Sequence, residues 1–422
     1  MKHFNKVPWM DGANIYEVNI RQYTEEGTFA AFTKHLPRLK DMGVKILWLM
    51  PVTPISLKER QGALGSYYAC SSYTAVNPEF GTDDDFRKLI EAAHNNGMKL
   101  IIDWVANHTG CDHEWTLQHA DWYAKDVHGN FMERNGWHDV IDLNFEVQEM
   151  RMALIKAMQY WIKEFNIDGF RCDMAHLVPL DFWLEAREQC DAVKTLFWLA
   201  ECEVPEYHEA FDVSYAWEWM HVSEKLAKQV ASLQHLREVF NKYSNYLPGA
   251  QKLYFTSNHD ENSWNGTEYE KYGPAAKAFA VCTCTWPGMP LLYSGQELPN
   301  LKRLKFFDKD QINWKPEVDL HDFYKALLQL KTSNAAMHSG AGLLVLHTGE
   351  DYNILAYLLT KDASKVLVLL NLSPNDKIQF TVSNHKLEGA YYNLFSGLQY
   401  TLNSNQHFEL QAWEYAVYVA AS

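Results

Sequence analysis

Positive charge is scarce in this chain. Its 38 Lys and Arg stand against 53 Asp and Glu, a formal net charge of −15 over 422 residues. That balance argues against the basic patches with which proteins hold nucleic acid or anionic membrane. No apolar run is long enough to span a bilayer, and the start, Met1-Lys2-His3-Phe4-Asn5-Lys6-Val7-Pro8, has no apolar leader core. The chain as given reads as cytoplasmic, although a leader already removed would leave the same sequence, so export stays open. Cysteine is sparse and odd in number, 7 in all, with no metal or redox spacing. Cys282 and Cys284 are one residue apart, and Cys172 and Cys202 sit in apolar runs, so buried free thiols in a reducing compartment are expected. Low-complexity tracts and short repeats are missing too. Aromatic residues are abundant: 15 Trp, 23 Tyr and 21 Phe. Such rings fill cores, and they also stack on the apolar faces of sugars.

An apolar fraction of 47% can bury a large core, and the length allows two or three domains. Short apolar runs alternate with helix-like segments. The strand candidates are Ile15–Ile20, Ile46–Met50, Lys99–Val105, Asp168–Cys172, Phe197–Ala200, Ala210–Tyr215, Leu253–Thr256 and Leu291–Tyr293. Amphipathic helices are predicted over Thr28–Met42, Asp83–Asn95, Val147–Phe165, Asp181–Ala192 and Ser223–Tyr243. Eight strands each followed by helical pattern predict an α/β fold, a (β/α)8 TIM barrel. A doubly wound sheet fits the same alternation, but no Gly-rich dinucleotide loop follows the first strand. Residues 106–145 form a polar, aromatic-containing insertion after the third strand, too long for a plain connection. Past residue 338 the pattern turns to strands and turns only: Gly340–Val345, Ile354–Leu359, Lys365–Leu372, Ile378–Val382 and Glu414–Val419. The expected organisation is a catalytic barrel over 1–337, with the insertion at 106–145, and a C-terminal antiparallel β-sandwich domain over 338–422.

Chemistry in a (β/α)8 barrel sits at the C-terminal ends of its strands. The fourth strand ends Gly169-Phe170-Arg171-Cys172-Asp173, placing Arg171 and Asp173 on one face at strand period. A guanidinium beside a carboxylate favours its ionised form. Alone, such a pair is usually a structural ion pair. The third strand, however, ends Asp103-Trp104-Val105-Ala106-Asn107-His108, the fifth ends in Glu201, and the seventh ends Asn258-His259-Asp260. Asp173, Glu201 and Asp260 thus converge on one mouth, with an arginine and two histidines.

These blocks, in order, resemble the α-amylase family of glycoside hydrolases (family 13): Asp103–His108, Gly169–Asp173, Ala200-Glu201 and Asn258–Asp260. Fainter echoes are Gly65–Tyr68, Asn77–Thr82, Asp142–Asn144 and Met289–Glu297, so the resemblance spans about Ile15 to Trp314. It implies Asp173 as nucleophile, Glu201 as general acid and base, and Asp260 as the group that binds ring hydroxyls and stabilises the transition state. It also implies that Arg171 positions and ionises Asp173, that His108 and His259 bond sugar hydroxyls, and that Tyr68 stacks on the ring. The expected activity is retaining hydrolysis of α-1,4-glucosidic bonds in starch-type glucans or maltooligosaccharides. A transglycosylase, an isomerising enzyme and an α-1,6- or disaccharide-specific α-glucosidase of the family keep the same blocks. A non-catalytic glucan-binding relative would have no need of Glu201. Tyr67 and Ser72 depart from the family pattern, as do His176 and Leu177 beyond the nucleophile, which bears on linkage and chain length. No cofactor is required for this chemistry. Many relatives hold a structural Ca2+, and Asn107 and Asp142 match two of its ligand positions, short of the six to eight oxygens calcium takes.

Overall fold

The computed structural model describes residues 4–247 and 249–421. Eight short parallel strands close into a barrel: β1 (Ile15–Val18), β2 (Ile46–Leu49), β3 (Lys99–Trp104), β4 (Gly169–Cys172), β5 (Phe197–Ala200), β6 (Val213–Tyr215), β7 (Gln251–Tyr254) and β8 (Met289–Tyr293). Each pairs with its neighbours in sequence, and β8 returns to β1. These runs are apolar and almost wholly buried, as parallel strands covered by helices must be.

Two predicted helices prove to be pairs. Thr28–Met42 splits into Phe29–Thr33 and Leu36–Met42, because Pro37 has no N–H to give a helix interior and must sit in a first turn. Ser223–Tyr243 splits into α1 (Trp217–Ala227) and α2 (Leu233–Ser244). Between them Gln229 takes a left-handed backbone, φ 59°, and Ser232 caps the second helix. The strand expected from Ala210 begins only at Val213.

Within the insertion, His108–Gly110 pairs antiparallel with Val140–Asp142, which returns the chain to the barrel mouth. The C-terminal region carries eight antiparallel strands. Gly342–Leu346, Ile354–Lys361, Ser364–Asn371, Tyr415–Ala420, Gly389–Asn393 and Gln399–Leu402 form one sheet in that order, and Ile378–Ser383 pairs with Asn405–Leu410 in another. Three of these, at 389–393, 399–402 and 405–410, were not predicted, since they are short and mostly exposed. The central strands of the larger sheet are buried on both faces. Tyr357, Val368 and Val417 join the barrel's core cluster, while Ala356, Leu367 and Leu369 pack on Phe380 and Val382 of the second sheet. All 7 cysteines are free, and 6 of them are buried.

Candidate active site

Parallel pairing sets Asp103 of β3 beside Arg171 of β4. Arg171 is fully buried, and its guanidinium is shared among three acids. Nη1 donates to Asp103 Oδ1 at 2.9 Å and to Asp173 Oδ1 at 2.8 Å. Nη2 lies 2.8 Å from Glu201 Oε2, an ion pair not aligned as a hydrogen bond. Nε donates to the Tyr215 hydroxyl at 3.1 Å, and the plane sits 4.8 Å from the Trp48 ring. Asp103 also accepts from Trp48 Nε1 and from the Tyr68 hydroxyl, at 3.2 and 3.1 Å.

One cation among three buried carboxylates leaves an excess of negative charge, and burial dominates the titration. Glu201 is pushed up to about 7, first by burial and then by Asp173 and Asp260, against the pull of Arg171. Asp173 is raised to about 6 by burial, with Arg171 opposing and Asp103 assisting. Arg171 does lower Asp173, as expected, but burial outweighs it, and the guanidinium also serves Asp103 and Glu201. Asp260 does lie below its ordinary value. Burial works against it, but His259 beside it prevails.

His259 is held by acids on both sides, with Nδ1 2.5 Å from Glu17 Oε1 and Nε2 3.2 Å from Asp260 Oδ2. Burial lowers its pKa, yet Asp260 and Glu17 together carry it well above the usual histidine value. Its Nε2 also lies 2.8 Å from the Tyr68 hydroxyl, and the two rings stack at 5.5 Å. His108 differs: burial pushes it down to about 4, so it is neutral. Its Nδ1 faces the Asn107 amide at 3.2 Å, and Trp137 packs against its ring.

A cavity of about 300 Å³ opens above these groups, lined by Tyr68, His108, Asp173, Glu201 and Asp260. Arg171 and His259 lie behind that lining. All seven site residues read from the sequence therefore gather at one mouth. Four more were not singled out: Glu17, Trp48, Asp103 and Tyr215. Each lies on a barrel strand, and the signal was an acid inside an apolar strand, as at Glu17, or strand parity facing inward. The rim adds Trp137, Trp264, Phe306 and Phe307, which come from loops with no periodic pattern.

The two matched calcium positions, Asn107 and Asp142, face each other. Asn107 Nδ2 points at Asp142 Oδ1 at 3.4 Å, and the Arg134 guanidinium stands 3.9 Å from the other carboxylate oxygen. Among the described residues no group of three or more His, Cys, Asp or Glu side chains is placed to hold a metal ion.

A parallel barrel with a shared, over-acidic carboxylate cluster in an aromatic mouth places the protein among the glycoside hydrolases. The chain belongs to the α-amylase family: residues 10–136 and 116–337 match the profile of the α-amylase catalytic domain. It is 26% identical to the α-amylase MalA of Haloarcula japonica over 385 residues, covering 86% of this chain and 56% of that protein. Its structure is similar to that of the maltogenic α-amylase AmyB of Thermotoga neapolitana, with TM-score 0.90, 27% identity, and 97% and 99% of the two chains covered. An α-amylase of Lactobacillus plantarum gives TM-score 0.87 and 28% identity over the same shares. No helix among the described residues is long and apolar enough to cross a membrane.

Proposed function

We propose that this enzyme hydrolyses α-1,4-glucosidic bonds of starch-type glucans or maltooligosaccharides by double displacement. Asp173 attacks the anomeric carbon, Glu201 protonates the leaving oxygen and then draws a proton from water, and Asp260 binds ring hydroxyls. The observation that carries this reading is the meeting of three acids at one cavity, with Asp173 and Glu201 on adjacent nitrogens of Arg171 and Asp260 beside His259. Burial raises Glu201 to about 7 and raises Asp173 as well, while His259 holds Asp260 below its ordinary value against burial. A carboxyl raised to about 7 can hold a proton near neutral pH, as the acid's role demands, while the Arg171 guanidinium at 2.8 Å favours the ionised form of Asp173.

Adjacent nitrogens of Arg171 hold Asp173 and Glu201. That supports the close carboxyl spacing of retaining enzymes, about 5–5.5 Å, over the wider gap that lets an inverting enzyme seat a water. Met174, held in left-handed backbone at φ 40°, donates its N–H to Glu201 Oε2 at 2.9 Å and fixes the acid's direction. His259, kept charged between Glu17 and Asp260, offers its Nε2–H toward the oxygens at the pocket floor.

Replacing Glu201→Gln should abolish turnover of maltooligosaccharides while glucan binding persists, read by calorimetry; unchanged turnover would refute the assignment. NMR of the first product should show the α-anomer. A β-anomer would remove Asp173 from the nucleophile's role.

A further inference from the structure

Glu201 stands between two unequal spaces. On one side is the cavity of about 300 Å³ that also holds Asp173, Asp260, Tyr68 and His108. On the other is a wider hollow of about 570 Å³, bordered by His176, Val204, Trp217 and His221, of which His176, Val204 and His221 are exposed. A general acid sits at the bond it breaks. The sugar that forms the bond to Asp173 therefore occupies the smaller space, and the departing sugar the larger one.

Two loops, around residues 57–66 and 302–310, supply Gln61, Ser66, Phe306 and Phe307 to the lining of the smaller space and are laced to each other. Leu64 N–H donates to the Phe307 carbonyl at 2.9 Å, and Ala63 N–H donates to Asp308 Oδ1 at 2.9 Å. Gly62, at φ 62°, lets the seam close, because a Cβ there would meet the Phe307 Cβ at 2.5 Å. Behind the seam, Lys309 Nζ donates to the Arg21 carbonyl, and Arg21 to the Gly65 carbonyl, at 2.8 and 3.2 Å. Phe307, Phe306 and Trp264 then stand as a continuous aromatic wall, with ring centroids 5.1 to 5.7 Å apart. Phe306 stacks on Tyr68 at the floor, 14° from parallel. Polar groups line the same space: Gln61, Ser66 and a buried Asp139 whose Oδ2 has no hydrogen-bond partner in the protein.

We propose that the enzyme works from chain ends: the non-reducing end of an α-glucan enters this pocket, and Phe307 and Trp264 set how few residues fit beyond the cleaved bond. Polar groups beside that wall suit the terminal hydroxyls of a sugar chain, and the laced loops would stand in the way of a passing internal segment. The departing side is open, so the length of glucan beyond the cleaved bond is unrestricted there. The proposal rests on the hydrolase reading above.

Its test compares two chromogenic maltoheptaosides, one with a free non-reducing end and one with that end blocked as a 4,6-ethylidene acetal. The free substrate should be hydrolysed, and the blocked one at least about tenfold more slowly in kcat/KM. Comparable rates on both would overturn chain-end action while leaving the hydrolase reading intact. No cleavage of either would overturn the hydrolase reading and this proposal with it. Phe307→Ala and Trp264→Ala should each raise the blocked-to-free rate ratio by about tenfold. An unmoved ratio in both folded variants, checked by circular dichroism, would remove those residues from the role. The comparison of substrates on the unaltered enzyme needs no variant to fold.

Discussion

Two of the buried arginines that hold carboxylates in this molecule, Arg187 and Arg171, are put to opposite uses. On the outer layer of the barrel Arg187 meets Asp212 at 2.9 Å and Asp191 at 3.3 Å, and donates to the Ala210 carbonyl at 2.8 Å. The remaining oxygens there are occupied by Trp198 N–H, Leu196 N–H and Trp198 Nε1–H. Every carboxylate oxygen there has its own donor, so one guanidinium and three N–H groups satisfy both acids. At the mouth Arg171 serves Asp103, Asp173 and Glu201 at once, with Asp260 nearby, and a cavity opens over the acids. The residue types are the same in both places. What marks the active cluster is surplus negative charge beside open space, which holds acids at titrations useful for proton transfer.

The sharpest way to break this contrast is to neutralise one acid in each cluster. Asp173→Asn should lower kcat by about 10^4- to 10^6-fold, the scale on which members of a catalytic unit fail. Its melting temperature should not fall, because repulsion within the cluster is relieved. Asp212→Asn should leave kcat within a few-fold but cost about 3–5 kcal/mol in denaturant unfolding, since Arg187 is left without its main buried counter-charge. A stable, active Asp212→Asn protein would dissolve the distinction.

A second test is the pH profile. Asp173 must be ionised and Glu201 protonated, so kcat/KM should fall below about pH 6 as the nucleophile gains a proton, and above about pH 7 as the acid loses its own. Asp103→Asn should move the acidic limb downward, because Asp103 raises Asp173 and competes for Arg171. A limb that stays in place while activity drops would make Asp103 a structural anchor only.

Much of this was legible beforehand, for physical reasons. The barrel showed because its strands are buried on both faces and read as unbroken apolar runs. Three strand ends showed because Asp173, Glu201 and Asp260 each break off such a run with a charge. The net titration of Asp173 was not legible, because a pair of neighbours in sequence says nothing of the burial that outweighs Arg171, nor of Asp103 and Glu201, which reach the same guanidinium from adjacent strands. The wall of Trp264, Phe306 and Phe307 was invisible for a related reason: it belongs to loops whose shape comes from long-range lacing, such as Leu64 to Phe307, rather than local pattern. The edge strands at 389–393 and 399–402 were missed because exposure removes the alternation that betrays a strand.

The smallest expected effect lies where the charged floor meets the aromatic wall. The Tyr68 hydroxyl donates to Asp103 and accepts from the charged His259, while its ring stacks on Phe306. Tyr68→Phe keeps the ring and removes only the hydroxyl. Asp103 retains Arg171 and Trp48, and His259 retains Glu17 and Asp260, so neither partner is left bare. The loss should be that of one ordinary hydrogen bond, about 0.5–1.5 kcal/mol, or roughly a 2- to 13-fold fall in kcat. KM should hold, because the stacking face is unchanged. A rise in KM with kcat intact would instead place that hydroxyl on the sugar, and move Tyr68 from the charged floor to the recognition wall.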